Sequence, residues 1–517
     1  MELLQPSVIS RTYARHFTDI MPGTRLLAAV DLGSNSFRLL IGRVVDTPSG
    51  SQVYPLDSLK ETVRLASGLT REKRLDADSQ QRSLAVLQRF GERLRSFAPD
   101  QVRAVATNTL RVAKNAGDFL RTAEAALGFP IEVIAGREEA RLIYSGVSHT
   151  FPPQAGQMLV VDIGGGSTEF IIGQGHEPRL MESLFIGCVA FSMQFFPGGE
   201  IDRYTLKQAE LAAQKEVEVI ARDFMATGWQ IAVGSSGTAK ALGEILEQSG
   251  YSEHGITREG LDKLREALLR AGHASRLRLE ALKSDRVPVL PGGFAIMAAV
   301  FAVLGLDRMD VADGALRQGV LYDLLGRSQR QDMRDVTIEQ FTQRYGVDRP
   351  QARRVGALAV SFLRQAATGS QEERESIEKM LCWSALLHEI GLSISHAGYH
   401  KHSSYILSNA DMPGFSKRDQ MKMAALVLGH TGKLTKLSGQ LSGPNDWLAV
   451  LCLRLAVLLY RRRAADMKMP ALVLETTSKG YVLLADASWL AENPLTEFSL
   501  RQECLEWGKI GLTIELG

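Results

Sequence analysis

One pattern occurs twice in this chain and limits what it can fold into: an apolar run ending in an aspartate, a glycine/serine turn, and a second apolar run. The first copy runs from Leu26 to Val30, turns through Asp31-Leu32-Gly33-Ser34-Asn35-Ser36, and continues from Phe37 to Gly42. The second runs from Met158 to Val161, turns through Asp162-Ile163-Gly164-Gly165-Gly166-Ser167-Thr168, and continues from Glu169 to Gly173. Each reads as a β-hairpin with a carboxylate at its mouth. The aspartates stand 131 positions apart. That spacing is too long for a solenoid and points to two similar domains facing each other across a cleft. A third turn, Gly234-Ser235-Ser236-Gly237-Thr238, follows the apolar run Ile231-Ala232-Val233 and precedes a predicted helix, Ala239 to Leu246. A fourth lies within Val311 to Gly319. Strand and helix patterns alternate to about residue 325, so the expected class is α/β.

The pattern then changes. Arg327 to Asp335 is polar and lacks apolar periodicity, as a linker would. Val336 to about Tyr460 is mainly helical, with Leu358 to Leu363 and Leu381 to Leu387 as buried faces. Ala471 to Thr476 and Gly480 to Leu484 flank Thr477-Ser478-Lys479 as a hairpin, which predicts a small α+β tail. A chain of 517 residues exceeds the usual single core. The expected partition is 1–140, 141–326, 336–464 and 465–517.

Val287 to Leu306 carries no charge and has the length of a membrane span. Pro288, Pro291, Gly292 and Gly293 interrupt its first part, so the expectation is a shorter buried helix from Phe294 to Leu304. No long apolar core follows Met1, and Arg11, Arg15 and Asp19 are charged, unlike a signal peptide. The four cysteines form no CxxC pair, which argues against a zinc knuckle and fits a reducing cytoplasm. A net charge of +2 does not call for nucleic acid.

The turns suit phosphate. Glycine lets the backbone approach an anion, successive N–H groups form a nest, and Ser, Thr and Asn add neutral donors. Asp31 and Asp162 end buried-looking strands, where a carboxylate needs a cation or donors. Magnesium bridging carboxylate and phosphate meets that need, although an aspartate can also simply cap its turn. In Gly136-Arg137-Glu138-Glu139, two glutamates open a helix; they suit the helix N-terminus, and one at a cleft edge can act as a general base. Arg111, after the apolar run Val102 to Val105, stands where an arginine can clamp a phosphate.

At this point the chain resembles the exopolyphosphatase / guanosine pentaphosphate phosphatase family, within the superfamily of acetate kinase, sugar kinases, actin and heat-shock chaperone ATPases. The motifs are AVDLGSNSFRLLIGRV (29–44), ATNTLRVAKNA (106–116), IAGREEARLIYSGV (134–147), VVDIGGGSTEFIIG (160–173), VGSSGTAKAL (233–242), VADGALRQGVL (311–321) and LLHEIGLSISHAGYHKHSSYIL (386–407). The resemblance implies two ribonuclease-H-like, actin-like domains, then an HD-like helical domain and a small terminal domain, as in the family's long form. It places Glu139 at the catalytic base and Arg111 at the arginine near the phosphates. Asp162 and Glu169 fall at the acidic positions around metal and lytic water, with Asp31 as a further metal candidate. Ser34, Asn35, Ser36 and Gly164, Gly165, Gly166, Ser167 and Thr168 fall in phosphate-holding loops; Gly234, Ser235, Ser236 and Gly237 form the third turn.

In the HD-like segment the pair is His388-Glu389, without the aspartate of true HD hydrolases, so no second metal-dependent active site is expected. His396 to Lys436 holds six Lys/Arg against two Asp, plus four His. A basic channel including His400, Lys401 and His402 suits a polyphosphate chain; a solvated helical face is the plain alternative. The expectation is a Mg²⁺-dependent exopolyphosphatase, with guanosine pentaphosphate as the nearest rival substrate; a kinase and a non-catalytic sensor are more distant rivals. The resemblance further implies a homodimer, to which Trp447 to Tyr460 could contribute unless it is core, and a cytoplasmic protein with at most peripheral association at the inner membrane.

Overall fold

The computed structural model describes residues 25–47, 50–152, 156–328, 332–441, 443–463, 469–478 and 480–517. The expectation for the segment after Met1 lies outside them. The chain divides into two compact units, Met1–Gln329 and Arg330–Gly517.

The first unit contains two sheets built alike. In one, β1 (Leu26–Leu32), β2 (Ser36–Thr47) and β3 (Gly50–Thr62) form an antiparallel meander, and β4 (Val102–Ala106) and β5 (Ile131–Val133) add in parallel beyond β1. In the other, β6 (Gln157–Ile163), β7 (Thr168–Gln174) and β8 (Glu177–Leu184) form the meander. There β9 (Ile231–Ser235) and β11 (Arg308–Val311) add in parallel beyond β6, and the short β10 (Ile256–Thr257) closes the edge. The strand orders β3-β2-β1-β4-β5 and β8-β7-β6-β9-β11 are therefore the same order twice. Parallel neighbours require crossovers, and helices such as Ala77–Leu94 and Arg203–Thr227 supply them. The duplicated α/β architecture is the one the repeated hairpin led us to expect, and it agrees with the paired actin-like domains that the family resemblance implied.

The expected boundary at 140/141 falls inside the helix Gly136–Thr150. That helix is buried from Glu138 to Tyr144, so no surface linker can pass there. It shares one apolar cluster with Leu27 and Leu40 of the first sheet, Val160 and Ile171 of the second, and Val320 of the helix Leu316–Ser328. The two helices approach backbone to backbone: a Cβ on Gly319 would lie 1.7 Å from the Leu142 carbonyl oxygen, which only glycine avoids.

Six charges sit around this junction. Arg103 of β4 meets Glu132 at 2.9 Å and Asp323 at 2.7 Å. Arg141 meets Glu138 at 2.8 Å and also Asp323, and Arg327 meets Asp323 at 3.0 Å. Three guanidiniums thus balance three carboxylates across β4, β5 and both helices. Arg327, expected in the linker, is part of the helix Leu316–Ser328, which leaves a shorter connection whose residues 329–331 lie outside the described ones.

The uncharged stretch is a 3-10 turn, Val287–Val289, followed by the helix Leu290–Leu304. Pro288 stays in the turn, but Pro291, Gly292 and Gly293 do not break the helix, contrary to expectation. Pro291 occupies the first turn, where no N–H is needed. Gly292 lies so close to Cys188 and Ser192 that a Cβ would come within 2.6 Å of them. Turn and helix together, Val287–Leu304, are long and apolar enough to cross a membrane, yet 72% of that stretch is buried inside the unit.

The second unit packs six helices, from Met333–Arg344 to Pro444–Leu459, against a small sheet of β12 (Val473–Thr477), β13 (Gly480–Leu484) and β14 (Thr513–Leu516). The hairpin β12–β13 is antiparallel as expected; Lys479 of its turn lies outside the described residues. Leu474, Leu483, Trp507 and Ile514 join the same core as Phe362, Leu381 and Leu451. Residues 469–478 and 480–517 therefore complete the helical core, where the sequence led us to expect a separate domain over 465–517. The stretch Trp447 to Tyr460 is core: Leu448 to Ala456 of its helix are buried.

Candidate functional site

Register places the first set of charges. In the β1–β2 hairpin Asp31 stands opposite Arg38, and in the β6–β7 hairpin Asp162 stands opposite Glu169. The offset is seven residues in both copies. The repeat thus puts an acidic residue at one position of each lobe and charges of opposite sign at the other.

The turns of the two hairpins meet. A Cβ on Gly165 would come within 3.1 Å of Ser34 Cβ and 3.4 Å of the Asn35 nitrogen, and one on Gly166 within 3.3 Å of Ser34 Oγ. Asn108 Nδ2 donates to the Gly166 carbonyl oxygen at 3.1 Å, and Thr109 Oγ1 donates to Ser34 Oγ at 2.8 Å. Glycines at 165 and 166 are what allow the loops this proximity.

Around the meeting point is a cavity of about 130 Å³. Its wall includes Asp31, Ser34, Asn35, Ser36, Glu139, Asp162, Gly164, Gly165, Gly166 and Ser167, together with Ser236 and Gly237. Other expected residues stand elsewhere. Thr168 is fully buried and its hydroxyl donates to the Ile186 carbonyl oxygen at 2.6 Å. Ser235 is buried and donates to the Gly314 carbonyl oxygen at 3.1 Å, while Gly234 packs on Met309. These three build the turns and are not in the cavity wall. Ser236 takes the turn at φ +77°, a strained value for a side-chain-bearing residue, with Oγ bound to the Ile163 carbonyl oxygen at 3.0 Å.

Glu139, in the first turn of its helix, is 8% exposed. Its Oε2 accepts from Arg111 Nη1 at 2.6 Å, and Oε1 has no protein hydrogen bond among the described residues. Arg111 stands behind Glu139, outside the cavity wall, and also donates to the Ile134 carbonyl oxygen at 3.1 Å. It therefore grips the glutamate through Nη1. Glu169 is likewise behind the wall, accepting from Ser183 Oγ at 2.8 Å.

The carboxylates strain one another. Burial pushes Asp31 up to about 6, with Glu139 adding to it, and pushes Asp162 up to about 7, with Glu139 and Asp31 adding. Burial, then Glu139 and Asp162, also raise Glu169. One oxygen of Asp31, Oδ1, is buried without any hydrogen-bond partner. Among the described residues no three acidic, His or Cys side chains converge as a ready-made ion site. Two cavity-facing carboxylates, one with an orphaned oxygen, still fit magnesium, which takes one or two carboxylates and completes its shell with phosphate and water. Glu169 fits that role poorly, because it faces Ser183.

Three arginines that sequence reasoning missed complete the wall: Arg38, Arg286 and Arg317. None forms an ion pair with a carboxylate among the described residues. Burial and the charge of Arg38 push Arg317 down to about 10. The Arg286 guanidinium lies on the Gly237 backbone, where a Cβ would overlap it at 1.9 Å. Three half-buried guanidiniums that make no ion pair with a carboxylate among the described residues, although Asp31 lies within electrostatic reach of Arg38 and Arg317, form an anion site beside the polar loops.

In the second unit, His400, Lys401 and His402 stand in the first turn of the helix Tyr399–Asn409. Lys401 is exposed and the two histidines are half-buried. Burial, Lys436 and Lys401 push His400 down to about 4. Of the other basic residues, Lys422 is tied to Asp446 at 2.6 Å and Lys436 donates to the Thr431 carbonyl oxygen at 2.5 Å. His388 and His430 are buried, each with Nδ1 against a carbonyl oxygen, Ala385 at 2.7 Å and Val427 at 2.5 Å. Glu389 pairs with Arg463.

A model of the Ppx/GppA phosphatase family matches residues 43–328, and one of Ppx/GppA phosphatase domain III matches residues 333–504. Among solved structures, a Ppx/GppA family member from Aquifex aeolicus is 28% identical, covering 59% of this chain and 99% of that one, with a TM-score of 0.49. An exopolyphosphatase from Cytophaga hutchinsonii is 24% identical, covering 58% of this chain and 98% of that one, with a TM-score of 0.53. An exopolyphosphatase-like protein is 23% identical over 59% of this chain and 99% of that one, with a TM-score of 0.52. These last two likenesses bear on the fold alone.

Proposed function

The chain belongs to the Ppx/GppA phosphatase family, and from that premise we propose that this phosphatase is an exopolyphosphatase, removing the terminal phosphate of inorganic polyphosphate. The observation that carries the reading is the cavity itself: two glycine loops in contact, a glutamate with one free oxygen, and three arginines without carboxylate partners.

The terminal phosphoryl group sits among the loop N–H groups and the hydroxyls of Ser34, Ser36 and Ser167, donors suited to the equatorial oxygens. Glu139 Oε1 accepts a proton from a water molecule while Arg111 holds Oε2 and fixes the carboxylate. The water oxygen forms a bond to phosphorus as the anhydride P–O bond breaks on the opposite side. The bridging oxygen leaves with the shortened chain, its growing charge facing Arg38, Arg286 and Arg317. Asp31 and Asp162 would hold Mg²⁺, which when bound neutralises phosphate oxygens.

Guanosine pentaphosphate offers the same terminal group on a nucleotide. The test is kcat/KM for long-chain polyphosphate and for guanosine pentaphosphate in one preparation, with free orthophosphate measured in the absence of any acceptor. A higher value for polyphosphate is expected. A higher value for the nucleotide would make the protein a guanosine pentaphosphate phosphatase instead, and phosphate transfer only to an acceptor would make it a kinase.

A further inference from the structure

A second cavity of the first unit, about 180 Å³, adjoins the first. Arg38, Arg286 and Arg317 belong to the walls of both, so the same guanidiniums face two spaces. Three lysines line the second space, and each is tied to a carboxylate: Lys60 to Asp285 at 2.8 Å, Lys240 to Asp313 at 2.9 Å and Lys283 to Glu244 at 3.2 Å. Six cations thus face three carboxylates, and the excess is the unpaired arginines. The apolar lining consists of alanines, with no aromatic side chain. A nucleobase would find no aromatic side chain there to stack on, and the planar guanidiniums that could take that part are the groups that face the first cavity as well.

The lysine pairs are partly solvent-exposed; Asp313, for example, is 97% exposed at its side chain. Such pairs hold weakly, because water screens them and two long side chains must be ordered. A phosphate group offers more negative charge and more acceptor oxygens than the carboxylate it would displace.

We propose that this vestibule is the subsite for the second and third phosphoryl groups of an inorganic phosphate chain, with Lys240 and Lys283 exchanging Asp313 and Glu244 for phosphate oxygens. The proposal rests on the reading of the first cavity as the terminal-phosphate site. The three arginines then contact the bridge between first and second phosphoryl groups, and the lysines contact what lies beyond.

The test compares kcat/KM for tripolyphosphate and pyrophosphate in the full-length protein with magnesium, at several salt concentrations. In Lys240→Ala/Lys283→Ala the tripolyphosphate-to-pyrophosphate ratio is expected to fall about tenfold, the scale of two partly exposed charged contacts. Its salt dependence is expected to become shallower, since fewer counterions are released. Asp313→Asn/Glu244→Gln frees the same lysines and shifts the ratio the opposite way, so a folding defect cannot imitate both results. Lys263→Ala, a surface lysine paired with Glu259, leaves the ratio in place. An unchanged ratio and salt slope in both double variants would overturn the proposal. So would guanosine pentaphosphate losing several-fold more than tripolyphosphate in the lysine variant, because its 5'-triphosphate presents the same second and third phosphoryl groups and the excess loss would have to come from its nucleoside. If the wild-type protein releases no orthophosphate from any substrate, the functional reading fails instead, and calorimetric titration of tripolyphosphate into the same variants still decides the subsite.

Discussion

Asp323→Asn tests how the glutamate-bearing helix is held. Asp323 is 4% exposed and touched by Arg103 at 2.7 Å, by Arg141, and by Arg327 at 3.0 Å. With Glu132 and Glu138 it makes three negative charges against three positive ones. Asparagine keeps the shape but leaves one buried guanidinium charge unbalanced, a defect that costs about 3–5 kcal/mol. Melting of the first unit should then fall by roughly 4–8 °C, at about 1.5 °C per kcal/mol for a body of about 300 residues. The guanidiniums hold the Asp323 carboxyl well below its ordinary range. Its contribution is therefore complete above the unfolded value of about 3.9 and fades only as pH falls below it. Calorimetry of both full-length proteins should show a gap that is flat at neutral and mildly acidic pH and closes only in strong acid. A gap of less than about 1 kcal/mol at neutral pH would refute the reasoning, because it would mean water reaches the network as it reaches surface pairs.

Gly165→Ala should separate the two loops, since its Cβ has only 3.1 Å to Ser34; kcat/KM for phosphate release is expected to drop at least tenfold with the melting temperature nearly kept. His388 and His430 are held below their ordinary range, mainly by burial. Glu389 and Arg463 face His388, while His400, Lys436 and Tyr399 face His430. The unfolded chain therefore binds more protons, and the second unit should lose stability as pH falls through about 6.5; a melting temperature that does not fall between neutral and mildly acidic pH would contradict this. Chelation of divalent ions should abolish phosphate release and added Mg²⁺ should restore it, whereas release that survives chelation would remove the metal from the account. Arg111→Lys loses the planar grip on Glu139 and should lower kcat with little change in KM, read from steady-state kinetics.

Local features were legible in the sequence and distant ones were not. The hairpins at Asp31 and Asp162 could be read because strand, turn and strand are contiguous, and their repetition gave the duplicated fold. Arg38 was readable in principle: it lies at the same offset from Asp31 as Glu169 does from Asp162. Arg317 lay within the fourth turn and the motif 311–321 without being singled out, and Arg286 had no such signal, since chain remote from the first hairpin brings both to the cavity. Asp323 meets Arg103 across 220 positions, a distance no periodicity bridges. Thr168, Gly234 and Ser235 looked like phosphate ligands because donor-rich turns and structural turns share one composition. The boundary at 140 failed because Gly136–Thr150 is buried on several sides and serves both lobes. Gly292 looked like a helix breaker because its neighbours, Cys188 and Ser192, are far away in sequence, and Pro291 because the helix start that tolerates it was placed three residues later, at Phe294.

The central claim is that Glu139 draws the proton from the attacking water. Glu139→Gln keeps the size of the side chain and a carbonyl oxygen for Arg111 but cannot accept that proton. Orthophosphate release from long-chain polyphosphate should fall by about 10²–10⁴-fold in kcat, the range for a lost general base, with polyphosphate binding retained. Turnover by the variant within threefold of the wild type would contradict the account.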